Sequence, residues 1–390
     1  MDFNKLEDLA KVVAWLDSAR WSPENQESLI WQPCNMASYS QEVLVHWLTY
    51  ITDIQRPWQD VWNRGREVFR EIVKSFMDTN FQTSDIRNIN DTKREVQQFL
   101  DKFRTPPKRG EVRAFKCQNI EYTPRFPNQH TFIERTLTIL VNQYQKNFIK
   151  FIGESLKRWE HEPDGLRHVA FDLYLLTYSN IELDETVRLL NSKENQKEHY
   201  SRWARTRRFG YKRLWAALRD YRKATNYLAL VQQGLCETFG QEEGKHLYQI
   251  WTSESNFSPA LLELPGDVWN SNFMQRVVKP LVDSSGLKIN TSQGASYIAR
   301  ELYDRMPNKL FYPEQLDISF DLSAKACENK NCDFCPFSKY ELRNICLSDT
   351  SAAGKKFCPI ALATCQYRMM CNPKNCPVVN GVGKGLCTSS

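Results

Sequence analysis

The distribution of cysteines constrains the fold of this 390-residue chain more than any other feature of its sequence. Nine of the 12 cysteines lie between residues 327 and 387, and this tail contains no histidine. The other three are spread over the first 326 residues. Thiols at this density are typical of a segment that is held together by disulfides or by a metal centre instead of by a large apolar core.

The tail cysteines form two groups. The first group has the spacing C-x4-C-x2-C-x10-C, and the segment Cys327-Glu-Asn-Lys-Asn-Cys332 resembles Cys371-Asn-Pro-Lys-Asn-Cys376 in the second group. Nine cysteines can supply two four-thiolate sites with one cysteine left over. Either Cys387 is that remaining cysteine, or it takes the place of Cys358 or Cys365 as a ligand. The first group comprises Cys327, Cys332, Cys335 and Cys346, and the second comprises Cys358, Cys365, Cys371, Cys376 and Cys387.

Three kinds of cross-link are compatible with these groups. Disulfides need an oxidising compartment, whereas the opening residues MDFNKLEDLA are acidic and lack the apolar core of a secretory signal. We therefore expect an intracellular, reducing location, either cytoplasmic or nucleoid-associated. Zinc and iron–sulfur clusters both accept four thiolates, so the spacing leaves both open. For the second group we expect a second metal site that acts as a staple for the small tail.

The first 326 residues predict an all-α, multi-helix fold, because apolar residues recur at helical spacing and no stretch alternates convincingly as a strand would. One long helix is expected from Ile133 to Ile152, and another from Tyr211 to Leu230. An earlier helix has its apolar face from Val43 to Ile51, with Ser40 as the expected N-cap. No run of about 18 apolar residues is present, so we expect neither a transmembrane helix nor a membrane partner.

The prolines and the cysteines suggest four segments. We predict an N-terminal helical domain (1–104), a Pro-rich basic connector (105–130), a central helical domain (131–326) and a Cys-rich metal-cluster tail (327–390).

The junction between helical body and tail resembles a known family. A predicted short helix from Leu316 runs into Cys327, and the element Cys332-Asp-Phe-Cys335-Pro336 follows. This resembles the end of the helix-hairpin-helix DNA glycosylases of the endonuclease III and adenine-glycosylase type, in which a C-x6-C-x2-C-x5-C loop holds a [4Fe–4S] cluster. The outer spacings here are 4 and 10. The resemblance covers residues 239–346, and it implies that the chain has a two-lobed helical body with a [4Fe–4S] cluster on the first cysteine group.

The same resemblance suggests catalytic residues. Leu264-Pro265-Gly266-Asp267 precedes a predicted helix, and the family has an aspartate at that place, so Asp267 would stabilise oxocarbenium-like charge or activate water. Bifunctional members use a hairpin lysine that forms a Schiff base, and the nearest match is Lys245, which follows Gly244. The alternatives are that Asp267 is an ordinary N-cap and that Lys245 is a solvated helix residue.

A basic segment extends from Arg202 to Lys223. It contains nine Lys or Arg residues and one acid, Asp220, with five aromatic residues interleaved. Such a pattern suits phosphate contacts combined with base stacking, whereas the alternative is an amphipathic helix that buries Leu214, Leu218 and Tyr221. The predicted nucleic-acid contacts are Arg202, Arg205, Arg207, Arg208, Lys212 and Arg213.

These features together predict an iron–sulfur protein that binds nucleic acid, with DNA expected, and that resembles a base-excision DNA glycosylase. Such an enzyme hydrolyses the N-glycosidic bond of a flipped base. The net charge of +6 is in keeping with an anionic partner. The alternative is a non-catalytic nucleic-acid-binding or interaction protein with structural zinc or iron–sulfur sites.

Overall fold

The computed structural model confirms the all-α class for the part of the chain that it describes. The structure describes residues 7, 10, 13–14, 32–53, 60–81, 88–106, 109–206, 212–264, 292–306 and 308–317. At residues 205, 206, 212 and 292–297 it describes only the backbone. In this part the only sheet has two short strands. The elements in chain order are α1 (Tyr39–Thr52), a π-helical turn (Val61–Gly65), α2 (Arg66–Asp78), α3 (Ile89–Asp101), β1 (Phe115–Cys117), β2 (Ile120–Tyr122), α4 (Asn128–Tyr144), α5 (Phe148–Trp159), α6 (Gly165–Thr177), α7 (Leu183–Leu190), α8 (Lys193–Thr206), α9 (Lys212–Lys223), α10 (Thr225–Phe239), α11 (Gln241–Thr252), a 3-10 turn (Pro259–Leu261), α12 (Ser292–Arg305) and a second 3-10 turn (Pro313–Leu316).

The chain divides into two compact units. The main unit comprises Gln26–Thr206 and Arg213–Leu261, and the second comprises Met1–Asn25, Arg207–Lys212 and Leu262–Ser390. In the second unit, α12 packs against the 3-10 turn Pro313–Leu316, and Arg300 donates a hydrogen bond to the carbonyl of Leu262 at 3.5 Å. The four predicted segments stay predictions.

Helix α1 is central to the main unit and begins two residues earlier than expected. Ser38, not Ser40, is the N-cap, and its hydroxyl accepts a hydrogen bond from the backbone N–H of Gln41. The Ser40 hydroxyl instead donates to Asn147 at 2.7 Å, at the start of α5. The prediction of Ser40 as the cap was therefore wrong, because a distant polar partner takes this hydroxyl.

The predicted long helix from Ile133 to Ile152 is two helices. Helix α4 ends where Gln145 and Lys146 adopt left-handed backbone conformations with φ of 52° and 63°, and Asn147 then caps α5. The Lys146 ammonium donates to the carbonyls of Met77 and Thr79, at 3.0 and 2.7 Å. This contact satisfies orphan carbonyls at the C-terminus of α2, so tertiary structure fixes a break that the apolar periodicity does not reveal.

A second predicted helix, from Tyr211 to Leu230, is also interrupted. Helix α9 ends at Lys223, Ala224 has an extended backbone, and α10 begins at Thr225. The two short strands were also missed. They pair antiparallel within the predicted connector, with Phe115 opposite Tyr122, and both of these side chains are buried.

Helices α10 and α11 are joined by the single residue Gly240. This residue has a φ of 86°, which favours glycine. Gly244 in the first turn of α11 faces α10 so closely that an added Cβ would lie 2.5 Å from the Cα of Cys236. The absence of a side chain at Gly244 therefore permits this helix crossing.

Candidate functional site

Most of the predicted cluster and catalytic residues lie outside the described residues. This is so for all nine tail cysteines and for Asp267, Arg207 and Arg208. Their assignments stay predictions from the sequence.

Lys245 lies on α11 and its side chain is exposed. It follows Gly244 in a helix, and the one-residue turn at Gly240 precedes that helix. The first turn carries Glu242 and Glu243, whose negative charges stabilise the positive end of the helix dipole. The same charges oppose the binding of a phosphate at this helix end.

Three described cations of the basic segment are paired with carboxylates, whereas Arg222 donates to the backbone carbonyl of Trp251. Arg213 contacts Asp53 at 2.8 Å, and Arg219 contacts Asp220 at 2.8 Å. Arg202 contacts Glu198 at 2.9 Å, but this pair is highly exposed. Because exposed ion pairs are weak, Arg202 can exchange Glu198 for a phosphate at little cost. Arg205 and Lys212 are described only as helical backbone.

Three of the five aromatic residues of the same segment belong to the core, and Phe209 and Tyr211 lie outside the described residues. Trp203, Trp215 and Tyr221 are exposed by 4%, 3% and 2%. Leu214 and Leu218 are fully buried, as the amphipathic-helix alternative predicts. These rings are therefore not accessible for stacking on bases.

The structure brings together a polar cluster that the sequence analysis missed. Cys34, Glu42 and His46 are buried, and one ligand atom from each lies within 4.8 Å of the other two. Glu42 and His46 are one helical turn apart on α1, so their side chains lie on the same face. The Cys34 Sγ is 3.8 Å from the His46 Nε2, which is 3.5 Å from the Glu42 Oε1.

The loop before α1 wraps around the carboxylate of Glu42. The backbone N–H of Cys34 donates to one carboxylate oxygen, and that of Met36 donates to the other at 3.0 Å. Between them, Asn35 has a φ of 57°, a conformation that asparagine tolerates better than most residues. The loop therefore places the thiol of Cys34 beside the carboxylate.

The electrostatics of the cluster follow from burial and from hydrogen bonds. Burial opposes the charge of Glu42, but hydrogen bonds from His46 and from the backbone of Cys34 and Met36 outweigh it and lower the pKa of this carboxyl. Burial lowers the pKa of His46 in spite of Glu42. Burial, together with the negative charge of Glu42, raises the pKa of the Cys34 thiol. At neutral pH the cluster therefore holds one carboxylate beside a neutral imidazole and a neutral thiol.

A thiol, an imidazole and a carboxylate form a donor set that zinc accepts. The sequence signal that could have identified this site is the pair Glu42-x3-His46 on a helix, with a cysteine eight residues before the glutamate. Apolar periodicity gives this pair no special weight, because only the fold reveals that Cys34 reaches the same point.

Comparison of the chain with protein-family models, curated proteins and solved structures gave no significant match. The likeness to the glycosylases therefore rests on the sequence motifs alone. Within the described ranges, every helix is too short or too polar to cross a lipid bilayer.

Proposed function

We propose that this chain is an iron–sulfur protein that binds DNA, with a [4Fe–4S] cluster on Cys327, Cys332, Cys335 and Cys346. The observation that supports this proposal most directly is the four-cysteine group with its C-x2-C-P element, which follows the helical part of the chain. Four thiolates without histidine fit such a cluster, and zinc is the alternative occupant. Thiolate ligands require reduced cysteines, in keeping with an intracellular location.

The proposed activity is that of a base-excision DNA glycosylase with a two-lobed helical body and a metal-cluster tail. Asp267 would stabilise the positive charge that develops on the sugar as the N-glycosidic bond breaks, or would activate the attacking water. Lys245 would be the nucleophile if the enzyme also cleaves the strand. Positively charged side chains at 202, 205, 207, 208 and 212 would contact the phosphates, whereas Arg213 is held by Asp53.

The second candidate is a nucleic-acid-binding protein without catalytic activity. The position of Lys245 favours it, because this side chain is exposed in a helical turn that also carries Glu242 and Glu243. A lysine nucleophile is usually activated by an apolar pocket or by a neighbouring cation.

DNA binding is tested by charge reversal at two predicted contacts. The double variant Arg207→Glu/Arg208→Glu should bind duplex DNA more weakly, and the slope of log K against log salt should become shallower by about 2, since two phosphate contacts are lost. A matched control is Arg188→Glu, because Arg188 is an exposed arginine of α7 that lies outside the basic segment. Equal affinity and equal salt dependence of both variants and the wild type would exclude these contacts.

Catalysis is tested on duplexes that carry defined lesions or mismatches. The wild-type protein should release a base, and Asp267→Asn should abolish the release while DNA binding is retained. Lys245→Ala should abolish only strand scission. If the wild type binds DNA but leaves every substrate of a broad lesion panel intact, the non-catalytic candidate replaces the glycosylase.

A further inference from the structure

We propose that Cys34, Glu42 and His46 form a closed binding site for a single zinc ion, separate from the tail cysteines. The inference does not depend on the proposed activity, because all three residues belong to the main helical unit. It rests on donor chemistry, on distances, on the fixed orientation of the ligands and on charge balance.

Two of the three distances between the donor atoms are close to those of a tetrahedral zinc site, and the third is at most 4.8 Å. Zinc–ligand bonds of about 2.0–2.3 Å at tetrahedral angles place neighbouring ligand atoms about 3.4–3.6 Å apart. The Cys34 Sγ to His46 Nε2 distance is 3.8 Å, and the His46 Nε2 to Glu42 Oε1 distance is 3.5 Å. An ion between these atoms therefore needs His46 to move little relative to its two neighbours, and Cys34 and Glu42 to approach each other where they are farther apart than this.

The imidazole of His46 is already oriented as a ligand. Its Nδ1 lies 2.7 Å from the Tyr227 hydroxyl of α10, and the Tyr227 ring packs edge-on against it at 4.6 Å. This contact leaves the Nε2 directed toward Cys34 and Glu42. When zinc binds Nε2, the ring proton is on Nδ1, which then donates to the Tyr227 hydroxyl. Metal-binding histidines commonly use the second ring nitrogen in this way, which holds the ring plane.

Glu42 keeps coordination capacity although it accepts two backbone hydrogen bonds. A carboxylate has about four lone-pair sites, and one N–H on each oxygen leaves one site free on each. The same two N–H groups hold the carboxylate in place beside the thiol. A water molecule would complete the tetrahedron.

The ligands can balance the charge of a divalent ion in this buried place. Cys34 and Glu42 are exposed by 3% and 4%, and His46 is fully buried. Two buried anions are costly, but a thiolate, a carboxylate and a divalent cation sum to zero. The thiol proton is released as the ion binds. Such an ion would tie the loop before α1 to α1 itself and, through Tyr227, to α10.

The experiment compares two buried cysteines in the full-length protein. Cys34→Ala and Cys117→Ala are expressed in zinc-supplemented medium and dialysed, and their metal content is determined by elemental analysis. Cys117 is a matched control because it is also buried, and its thiol contacts the carbonyl of Val68 at 3.7 Å. We expect Cys34→Ala to contain one equivalent of zinc less than Cys117→Ala and the wild type. Equal zinc in all three proteins would overturn the proposal.

A second variant decides the question if Cys34→Ala does not fold. Tyr227→Phe keeps the core packed but removes the partner of His46, so one zinc ion should bind about 10–100-fold more weakly in a chelator competition. Tyr221→Phe is the control, since this neighbouring hydroxyl donates to the carbonyl of Val43 at 3.4 Å. Identical competition curves for the wild type and both variants would refute the site.

Discussion

Asp172 on α6 offers the sharpest test of how the main unit is held together. Its carboxylate is fully buried and accepts hydrogen bonds from four side chains. Three donate to Oδ2, the hydroxyl of Ser155 at 2.5 Å and the side chains of Arg158 and Trp159 at 2.9 Å each. Gln196 of α8 donates to Oδ1 at 2.9 Å. One carboxylate therefore joins α5, α6 and α8.

Two substitutions of Asp172 separate charge from shape. Asp172→Ala leaves the Arg158 guanidinium and three neutral donors without their acceptor, and removal of one partner of a buried ion pair costs about 3–5 kcal/mol. Asp172→Asn keeps the volume and one acceptor but loses the charge opposite Arg158. Its expected cost is about 1–2 kcal/mol, the difference between charged and neutral hydrogen bonds.

Thermal unfolding followed by far-UV circular dichroism measures both costs. For a unit of this size, about 2–4 °C of Tm corresponds to 1 kcal/mol, so Asp172→Ala should lower the Tm of the main unit by about 6–20 °C. The control is Asp101→Ala, because Asp101 is 53% exposed and its ion pairs with Arg104 and Arg113 should contribute about 0–1 kcal/mol. If Asp172→Ala loses no more stability than Asp101→Ala, the network does not support the fold as argued.

Two further predictions concern packing and pH. Helix propensity alone would make Gly244→Ala more stable by about 1 kcal/mol. The added Cβ would lie 2.5 Å from the Cα of Cys236, however, so we expect the free energy of unfolding to fall by about 1–3 kcal/mol. A higher Tm of this variant would show that the helix crossing relaxes freely. Burial lowers the pKa of His130 from 6.5 to about 4 although its ring donates to the carbonyl of Arg113. As the pH falls through this window, the unfolded chain takes up a proton that the folded chain does not, so stability decreases. His130→Gln should therefore give a flatter profile of Tm against pH between pH 6.5 and 4, and an unchanged slope would contradict the assigned burial effect.

The sequence predicts elements whose apolar pattern and burial agree. The stretch from Val169 to Tyr178 is apolar nearly all round, and the structure buries most of α6. On α2, Phe69, Ile72 and Phe76 follow helical spacing and are all fully buried. In such helices the local pattern and the tertiary environment favour the same conformation.

Other features depend on contacts between residues that are distant in the sequence. The break at Gln145 and Lys146 needs non-glycine residues in a left-handed conformation, and Lys146 there contacts carbonyls almost 70 residues earlier. Periodicity cannot reveal such a contact. The buried cluster was missed for the same reason, because Cys34 lies in a loop and only the folded chain brings it to His46.

The central claim of this account is a metal centre on the first cysteine group of the tail. We expect anaerobically purified wild-type protein to be brown and to contain iron and sulfide in stoichiometric amounts, whereas Cys332→Ala loses both and Cys236→Ala keeps them. If Cys332→Ala retains the same iron and zinc as the wild type, those thiolates hold no metal and the account fails.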